Sequence, residues 1–438
     1  RHLAESVYKA ALSGRHLMAQ APTGIGKTVA TIFPLLKASP GQKLDKIFFL
    51  AAKTPGRGLA LDALELIRAG KDKEDAVLPL RVLELVARDK ACEHPDKACH
   101  GESCPLAQGF YDRLAAAREA AVRASSLDQQ SLRTIALAHQ VCPYYLSQDL
   151  VRWSDVVVGD YNYYFDTSAM LYGLTVENDW RTAVLVDEAH NMVERARKMY
   201  SAELTQSSFR VARKSAPKSL RTVLDRVNRL WNDLYRDQET EYAVYHAIAE
   251  KFLFALQQAG TDITDLMTDE PDSVSPELQR FYFDAMQFSK LAEVFGEHSM
   301  FDITRSMSLA SKPQATLCIR NIVPAPFLKQ RFTTAHTVTL FSATLGPHHF
   351  YADMLGLPDD TAWVDVESPF HAQQLAVRIA STISTRYQHR PRSVAPIARL
   401  IAEQYNNVPG NYLAFFSSFD YLKQVADLFT GLYPDITI

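Results

Sequence analysis

The sequence contains few cysteines and no long hydrophobic run. Only five of its 438 residues are cysteine, which argues against a secreted disulfide scaffold and favours a reducing cytoplasm. No stretch of about 18 or more apolar residues is present, so we expect no membrane span, and no signal peptide is visible. The formal net charge is −3. Any nucleic acid must therefore bind in a local groove, because the surface as a whole is not basic.

The length predicts about two to four domains. Hydrophobic residues make up 47% and charged residues 22% of the chain, which is typical of a globular protein. Because a helical pattern starts almost at Arg1, we expect the sequence to begin inside a domain.

Short, continuously apolar segments alternate with helical ones in much of the chain. This alternation predicts an α/β fold with a parallel sheet covered on both faces. A first helix, "AESVYKAALS", should end at Gly14. The predicted strands are HLMAQ (16–20), KIFFLAA (46–52), SDVVVGD (154–160), AVLVDEAH (183–190) and TVTLFSATL (337–345).

Two insertions interrupt this alternation. Residues of about 80–152 carry cysteines and the helical segment "YDRLAAAREAAVRA", and residues of about 200–330 are predicted to be almost wholly helical. In the second insertion, Ser275 should cap a helix whose first turn contains Pro276. Another α/β unit should begin near 371, with one clear strand, NYLAFFSS (411–418).

The segment "APTGIGKT" fits a phosphate-binding loop between a strand and a helix, although Ala21 replaces its usual first glycine. Gly24 and Gly26 allow backbone N–H groups to face phosphate oxygens. Lys27 can reach the β- and γ-phosphates, and the Thr28 hydroxyl can bind Mg²⁺. The predicted loop residues are Ala21, Pro22, Thr23, Gly24, Ile25, Gly26, Lys27 and Thr28.

The segment "VLVDEAH" ends an apolar strand with two carboxylates. Asp187 is predicted to hold Mg²⁺ and Glu188 to polarise the attacking water. An acidic helix start is the alternative for such a segment. Its position after a buried strand and downstream of a phosphate loop favours the metal site. Together the two segments predict hydrolysis of a Mg²⁺–nucleoside triphosphate.

Four cysteines fall in one insertion with the spacing C-x6-C-x4-C-x37-C. They are Cys92, Cys99, Cys104 and Cys142. A disulfide pair, a zinc site, an iron–sulphur cluster and unligated thiols are alternatives that spacing alone leaves open. Zinc could also use the nearby histidines His94, His100 and His139. Cys318 lies outside this group and is predicted to be a small buried residue.

The segments "APTGIGKT", "VDEAH" and "FSATL" (341–345) resemble, in this order, motifs I, II and III of superfamily 2 helicases. "KTPGR" (53–57) resembles motif Ia, and the strand at 411–418 resembles motif IV. The two insertions resemble those of the XPD/DinG iron–sulphur DNA helicases, in particular bacterial DinG-like members. The most specific stretch is CPYYLSQDLVRWSDVVVGDYNYYFD (142–166).

The resemblance implies a RecA-like motor domain interrupted by an iron–sulphur domain and a helical arch domain, followed by the start of a second RecA-like domain. The implied boundaries are 1–80, 154–200 and 331–370 for the first motor domain, 81–153 for the iron–sulphur domain, 201–330 for the arch and 371–438 for the second motor domain.

The resemblance also implies an ATP-dependent 5′→3′ helicase that acts on single-stranded and forked DNA in repair or replication, with a replication or repair protein as partner, in a bacterial cytoplasm or nucleoid. The implied cofactors are Mg²⁺, held by Thr28 and Asp187, and a [4Fe–4S] cluster on the four cysteines. His190, Ser342 and Thr344 match residues that couple hydrolysis to DNA movement. The alternatives are a DNA-stimulated translocase without unwinding and a helicase-like nuclease.

Two further expectations concern DNA and the missing motifs. Lys53, Thr54, Arg57 and Tyr161 are predicted DNA contacts, with core packing as the alternative for the tyrosine. The basic stretch at 209–221 is expected to be a solvated helix face. No match to the family's arginine-supplying or adenine-contacting motifs is present, so we expect the residues given to hydrolyse ATP slowly on their own.

Overall fold

The structure, a computed structural model, describes residues 1–69, 78–97, 99–270, 273–307 and 313–438. They form two units, Arg1–Ser368 and Pro369–Ile438. In these described ranges, no helix is both long and apolar enough to cross a membrane. The helices are α1 (His2–Ser13), α2 (Lys27–Gln42), α3 (Thr54–Ala69), α4 (Arg88–Ala91), α5 (Phe110–Ala124), α6 (Gln129–Ala138), α7 (Pro143–Leu150), α8 (Asn162–Phe165), α9 (Met170–Glu177), α10 (Met192–Met199), α11 (Gln206–Ser215), α12 (Arg221–Asp237), α13 (Glu250–Asp269), α14 (Pro276–Glu293), α15 (Ala325–Thr334), α16 (His348–Leu355), α17 (Arg390–Asn407) and α18 (Phe419–Leu432).

A parallel sheet with the strand order β12-β1-β11-β6-β2-β5-β3-β4 forms the centre of the first unit. It contains each of the five strands that the sequence predicts for the motor domain, so the predicted α/β fold is confirmed. The strands of both sheets are β1 (Leu17–Gln20), β2 (Lys46–Ala51), β3 (Val82–Glu84), β4 (Ser126–Leu127), β5 (Val156–Gly159), β6 (Thr182–Asp187), β7 (Ala202–Thr205), β8 (Tyr242–Tyr245), β9 (Ser299–Met307), β10 (Pro313–Asn321), β11 (Thr337–Ser342) and β12 (Ala362–Asp365).

Both faces of the large sheet are covered, which explains why its strands are continuously apolar. In β2, Phe48 and Leu50 point into one apolar cluster, whereas Phe49 and Ala51 point into another. Helices α1, α2 and α3 contribute to the second cluster, and α5, α6, α7 and α10 to the first. Gly14 ends α1 with a positive φ of 67°, as predicted.

The cysteine-bearing insertion is continuous with the large sheet. Its strand β3 pairs with β5, with Val82 opposite Val156, and β4 then pairs with β3. Helices α5, α6 and α7 pack their apolar sides into the cluster on one face of this sheet. The insertion therefore shares the motor domain's hydrophobic core.

The prediction that residues 201–330 are almost wholly helical is wrong. Helices α11 to α14 are present, and the Ser275 hydroxyl caps α14 at the N–H of Leu278. However, β7, β10, β9 and β8 form an antiparallel sheet in that order. Helix α12 packs on this sheet, where the Trp231 indole N–H donates to the carbonyl of Ala315 over 3.1 Å.

The predicted strand at 411–418 is also absent from the second unit. Residues 411–416 form neither a helix nor a strand, and Phe415 is 89% exposed. Helices α17 and α18 pack together in this unit. A buried strand needs neighbouring strands on its edges, and the residues described in this unit supply none.

Candidate functional site

The loop between β1 and α2 has the backbone conformation that an anion site requires. Gly24 and Gly26 have φ values of 83° and 75°, a region that is strained for residues with a Cβ atom. Helix α2 begins directly after the loop, so its first free N–H groups point toward a bound anion. The Lys27 ammonium donates to the carbonyl of Pro22 over 3.3 Å and thus lies across the loop.

Strand register brings the other predicted motifs to the same edge of the sheet. Gln20 lies opposite Ser342, and Asp187 lies opposite Ala51. The N–H of Ala21, the first loop residue, donates to the carbonyl of Ser342 over 2.8 Å. The carboxyl ends of β1, β11, β6 and β2 therefore lie side by side at one edge of the sheet, the usual position of a ligand in a parallel sheet.

The Asp187 carboxylate is largely withdrawn from water, with 8% exposure. Burial and then the charge of Glu188 raise the pKa of Asp187 from 3.8 to about 6, although the Glu188 N–H and the Lys27 ammonium oppose this shift. A buried carboxylate with so little compensating charge favours a bound cation. Carboxylate and hydroxyl oxygens are ligands that Mg²⁺ prefers. The Asp187 carboxylate therefore suits a magnesium ion, and Thr28, which follows Lys27, carries a hydroxyl of the same ligand class.

Glu188 has a left-handed backbone conformation, with φ 50° and ψ 45°, which costs a residue with a side chain about 1–3 kcal/mol. Hydrogen bonds hold this turn. The Glu188 carbonyl accepts from the Tyr161 hydroxyl over 3.0 Å and from the Asn191 side-chain amide over 3.1 Å. The carbonyl of Asp187 accepts from the same hydroxyl. Burial, and then the charges of Asp187 and Glu188, raise the pKa of Tyr161 well above 10, so its hydroxyl keeps its proton.

The structure brings Glu188, His190 and Ser342 into one hydrogen-bonded group. His190 Nδ1 lies 2.7 Å from Ser342 Oγ and 3.3 Å from Glu188 Oε2. The Ser342 hydroxyl also lies 3.3 Å from Glu188 Oε2. Thr344 joins only through its backbone N–H, 3.3 Å from Ser342 Oγ, because its side chain is exposed. A movement of the Glu188 carboxylate therefore directly changes the hydrogen bonds at the end of β11.

Two residues of the site have contacts that the sequence did not predict, although Gly56 lies within the segment 53–57. The side-chain oxygen of Gln20 accepts from the N–H of Leu345 over 2.9 Å, so it ties β1 to the turn after β11. A Cβ atom on Gly56 would lie 3.2 Å from Asp187 Oδ2, so glycine allows α3 to approach the carboxylate. A polar residue at the end of a buried strand was the available signal for Gln20.

The predicted DNA contacts lie in different environments. Lys53 and Thr54 are exposed at the start of α3. Arg57 is 6% exposed, and its guanidinium lies 3.4 Å from the carboxylate of Glu84. Tyr161 is 0% exposed. Its ring is part of the core and cannot stack on a base. The predicted DNA contact of Tyr161 is therefore wrong, and the ring packs in the core.

A cleft of about 370 Å³ lies where α3, the cysteine-bearing insertion and the segment after β5 meet, and we call it the insertion cleft. It contains cationic, acidic and aromatic side chains. Its residues are Arg57, Leu85, Ala87, Lys90, Tyr144, Gln148, Asp160, Asn162, Tyr163, Asp166, Ser168, Met170 and Arg195.

Cys142 directly precedes α7 and is half-buried. Burial raises the pKa of its thiol, hydrogen bonds from the N–H groups of Tyr145 and Tyr144 oppose this, and the nearby thiols of Cys92 and Cys104 raise it further. These three cysteines therefore lie close enough to interact. Backbone N–H groups directed at sulphur also stabilise a thiolate.

Cys99, the fourth cysteine of the group, lies 3.9 Å from Arg88 Nη1. Among the described residues, no three His, Cys, Asp or Glu side chains are placed to hold one metal ion. Zinc and [4Fe–4S] sites both use cysteine thiolates as ligands, so the residue types alone suit either group. Cys318 is buried in β10, as predicted.

Two helicase family models match the first half of the chain. The DEAD/DEAH box helicase model matches residues 1–91, which include the phosphate loop and α3. The DEAD_2 model matches residues 80–209, which include the four cysteines and the end of β6.

Curated relatives are similar over part of the chain. The Anopheles gambiae homolog of regulator of telomere elongation helicase 1 is 26% identical over 255 residues, which are 47% of this chain and 25% of the relative. The Homo sapiens regulator of telomere elongation helicase 1 is 28% identical over 28% of this chain and 11% of its own length. The Gallus gallus Fanconi anemia group J protein homolog is 27% identical over 31% of this chain and 12% of its own length. The chain thus spans a quarter or less of these relatives.

Solved structures of XPD share the fold. A structure titled as XPD helicase has a TM-score of 0.59 and 17% identity, over 97% of this chain and 73% of that one. A truncated XPD has a TM-score of 0.53 and 17% identity, over 83% of this chain and 99% of that one. The chain is thus similar to DEAD/DEAH box helicases over residues 1–91 and to helicase relatives over part of its length, and it shares the fold of XPD.

Proposed function

We propose that this chain is the motor of an ATP-dependent DNA helicase that moves 5′→3′ on single-stranded DNA and unwinds duplexes in DNA repair or replication. The observation that carries the proposal is the group formed by Glu188, His190 and Ser342 beside the phosphate loop. This group connects a carboxylate suited to hydrolysis with the strand end that pairs with β1. An ATPase without mechanical output has no need of such a connection.

Each residue has a distinct task in the proposed reaction. The loop amides and Lys27 bind the phosphates of ATP, and Thr28 and Asp187 hold Mg²⁺. When bound, Mg²⁺ neutralises the charge that develops on the phosphates. Glu188 orients the attacking water. When its carboxylate turns toward that water, it leaves Ser342 and His190, so the turn after β11 is free to move.

A coupled assay tests this proposal on the complete protein. ATP hydrolysis is measured with and without single-stranded DNA, and strand separation is measured on duplexes with a 5′ or a 3′ tail. We expect DNA-stimulated hydrolysis and unwinding only from the 5′ tail.

Glu188→Gln should lower kcat by about 100-fold or more, whereas Ser342→Ala should reduce unwinding more than hydrolysis. Strong stimulation of ATP hydrolysis by DNA without unwinding would instead indicate a translocase. DNA degradation that persists in the Asp187→Asn variant would indicate a nuclease.

We also propose a [4Fe–4S] cluster held by Cys92, Cys99, Cys104 and Cys142. The mutual proximity of three of these thiols supports it, as does the position of their insertion against the motor core. Four thiolates anchored on α4, on α7 and between them would fix the wall of the insertion cleft. Arg57 of α3 lines this cleft. Lys53 and Thr54, at the start of the same helix, are the residues that we propose as DNA contacts.

Metal analysis tests the cluster. Protein purified without oxygen should be brown and contain about four irons and four sulphides per chain. Cys142→Ser should lose the iron and the visible absorption. Cys318→Ser, a change at the buried cysteine outside the group, should keep both. A colourless wild-type protein with one zinc per chain would overturn the cluster while leaving the ATP site unaffected.

A further inference from the structure

Tyr161 is a buried tyrosine whose hydroxyl reaches the carbonyls of two consecutive residues, Asp187 and Glu188. These two residues carry the carboxylates of the ATP site. One turn further along, Tyr164 is equally buried, but its hydroxyl donates to the carbonyl of Arg331. The two tyrosines are therefore equally buried, but their hydroxyl groups donate to carbonyls in different parts of the chain.

The bond from Tyr161 spans a neighbouring strand. β5, which precedes Tyr161, pairs with β2, and β2 in turn pairs with β6. The same segment is tied a second time to the sequence after β6. The guanidinium of Arg195, on α10, lies 2.5 Å from the carboxylate of Asp160 and 2.7 Å from the side-chain oxygen of Asn162. The segment and the carboxylate turn are thus held at fixed positions.

The strain of the Glu188 backbone and the loss of a hydrogen bond to a buried carbonyl are similar in free energy. The left-handed conformation of Glu188 is unfavourable for a residue with a side chain, and a buried carbonyl that loses its partner is unfavourable to a similar degree. The Glu188 carbonyl would keep its bond from Asn191 if the Tyr161 hydroxyl were removed. The Asp187 carbonyl accepts a side-chain bond from Tyr161. Loss of that hydroxyl therefore removes a restraint large enough to let the strained turn relax.

We infer that Tyr161 is a positioning residue for the two carboxylates. Its hydroxyl holds the turn at Asp187 and Glu188, and so keeps the Glu188 carboxylate beside Ser342 and His190. It does not touch nucleotide. For its effect on catalysis, this inference rests on the proposed ATP hydrolysis.

Tyr161→Phe tests the inference against Tyr164→Phe in the full chain. Each change removes one buried hydroxyl without removing the ring, so the loss of stability should be similar. We expect Tyr161→Phe to lower kcat by about 10- to 100-fold, because small misplacements of catalytic groups have effects of this size. Its KM for ATP should stay within about twofold, because the phosphate loop is unchanged, and Tyr164→Phe should keep both constants.

Backbone hydrogen exchange supplies a readout that does not need activity. We expect amides 187–191 to exchange faster in Tyr161→Phe than in the wild type or in Tyr164→Phe. Equal exchange in the two variants would overturn the inference even if the wild type hydrolysed no ATP. Faster exchange with an unchanged kcat in an active protein would also overturn it. A wild type without ATP hydrolysis would refute the proposed function alone.

Discussion

At the scale of single residues, the burial of the ionised Asp187 carboxylate lowers the free energy of unfolding. Its pKa is about 6 in the folded chain, against 3.8 ordinarily. The folded state therefore binds this proton more tightly than the unfolded state does, and stability falls as the pH rises from about 4 to about 6. Above that window the cost is constant, at about 3 kcal/mol. Without a bound cation, the folded chain is therefore destabilised at neutral pH by the residue that we propose as its magnesium ligand.

Asp187→Asn should remove this cost. In buffer with EDTA, we expect the variant to be more stable than the wild type by about 2–3 kcal/mol at pH 7.5 and by about half as much at pH 5. Thermal melts at the two pH values measure the difference. The gain must shrink as the pH falls, so an equal gain at both values, or none at pH 7.5, contradicts the electrostatic explanation.

Residue roles can be proposed from the sequence where a short motif carries them. Lys27, Asp187 and Glu188 lie in local patterns whose chemistry can be read without a fold. Gln20, Gly56 and Tyr161 could not be assigned in this way. Their roles depend on contacts with residues far along the chain, such as the bond from Leu345 to Gln20.

At the scale of elements, the start of α3 approaches the end of β6 through Gly56. A Cβ atom there would lie 3.1 Å from Ala51 Cβ and 3.2 Å from Asp187 Oδ2. Gly58, two residues along the same helix, has no neighbouring atom within 4 Å of such a Cβ. The two glycines thus form a matched pair for substitution.

Gly56→Ala should displace the Asp187 carboxylate and weaken Mg²⁺-dependent hydrolysis by about 10-fold or more. Gly58→Ala should leave hydrolysis unchanged and stabilise the helix by about 0.5–1 kcal/mol, because alanine is the better helix former. Titration of ATPase activity with Mg²⁺ gives the comparison. Equal activity of the two variants would show that α3 does not limit the carboxylate.

Strands were predictable according to how they are buried. β2 and β6 are buried on both faces, so they read as continuous apolar runs. β9 and β10 mix buried apolar residues, such as Ile303 and Leu317, with polar ones such as the buried Asp302, in a helix-rich segment. The strand pattern there is weaker, and β10 pairs with the distant β7. The antiparallel sheet β7-β10-β9-β8 therefore depends on pairing that a local pattern does not reveal.

At the scale of the whole molecule, residues 369–386 lie in the sequence between β12, the last strand of the first unit, and α17, the first α-helix of the second. This stretch forms only short turns and is exposed along most of its length, including Arg378 and Arg386. Exposed segments of this kind are preferred sites of proteolysis. We expect brief trypsin treatment to cut after these arginines and release a fragment that ends near 378, identified by mass spectrometry. Earlier cutting inside α17 would contradict the assigned boundary.

The position of β1 in the sheet also affects how the chain is made. Its partners are β11 and β12, with Leu17 opposite Thr339 and Ala362. More than 300 residues must therefore be synthesised before β1 finds a neighbour, which takes roughly 15–65 s at usual translation rates. Both edges of this apolar strand remain unpaired on the ribosome during that time. The nascent chain should therefore depend on chaperones, and changes in β11 or β12 should reduce the yield of folded protein before they affect its chemistry.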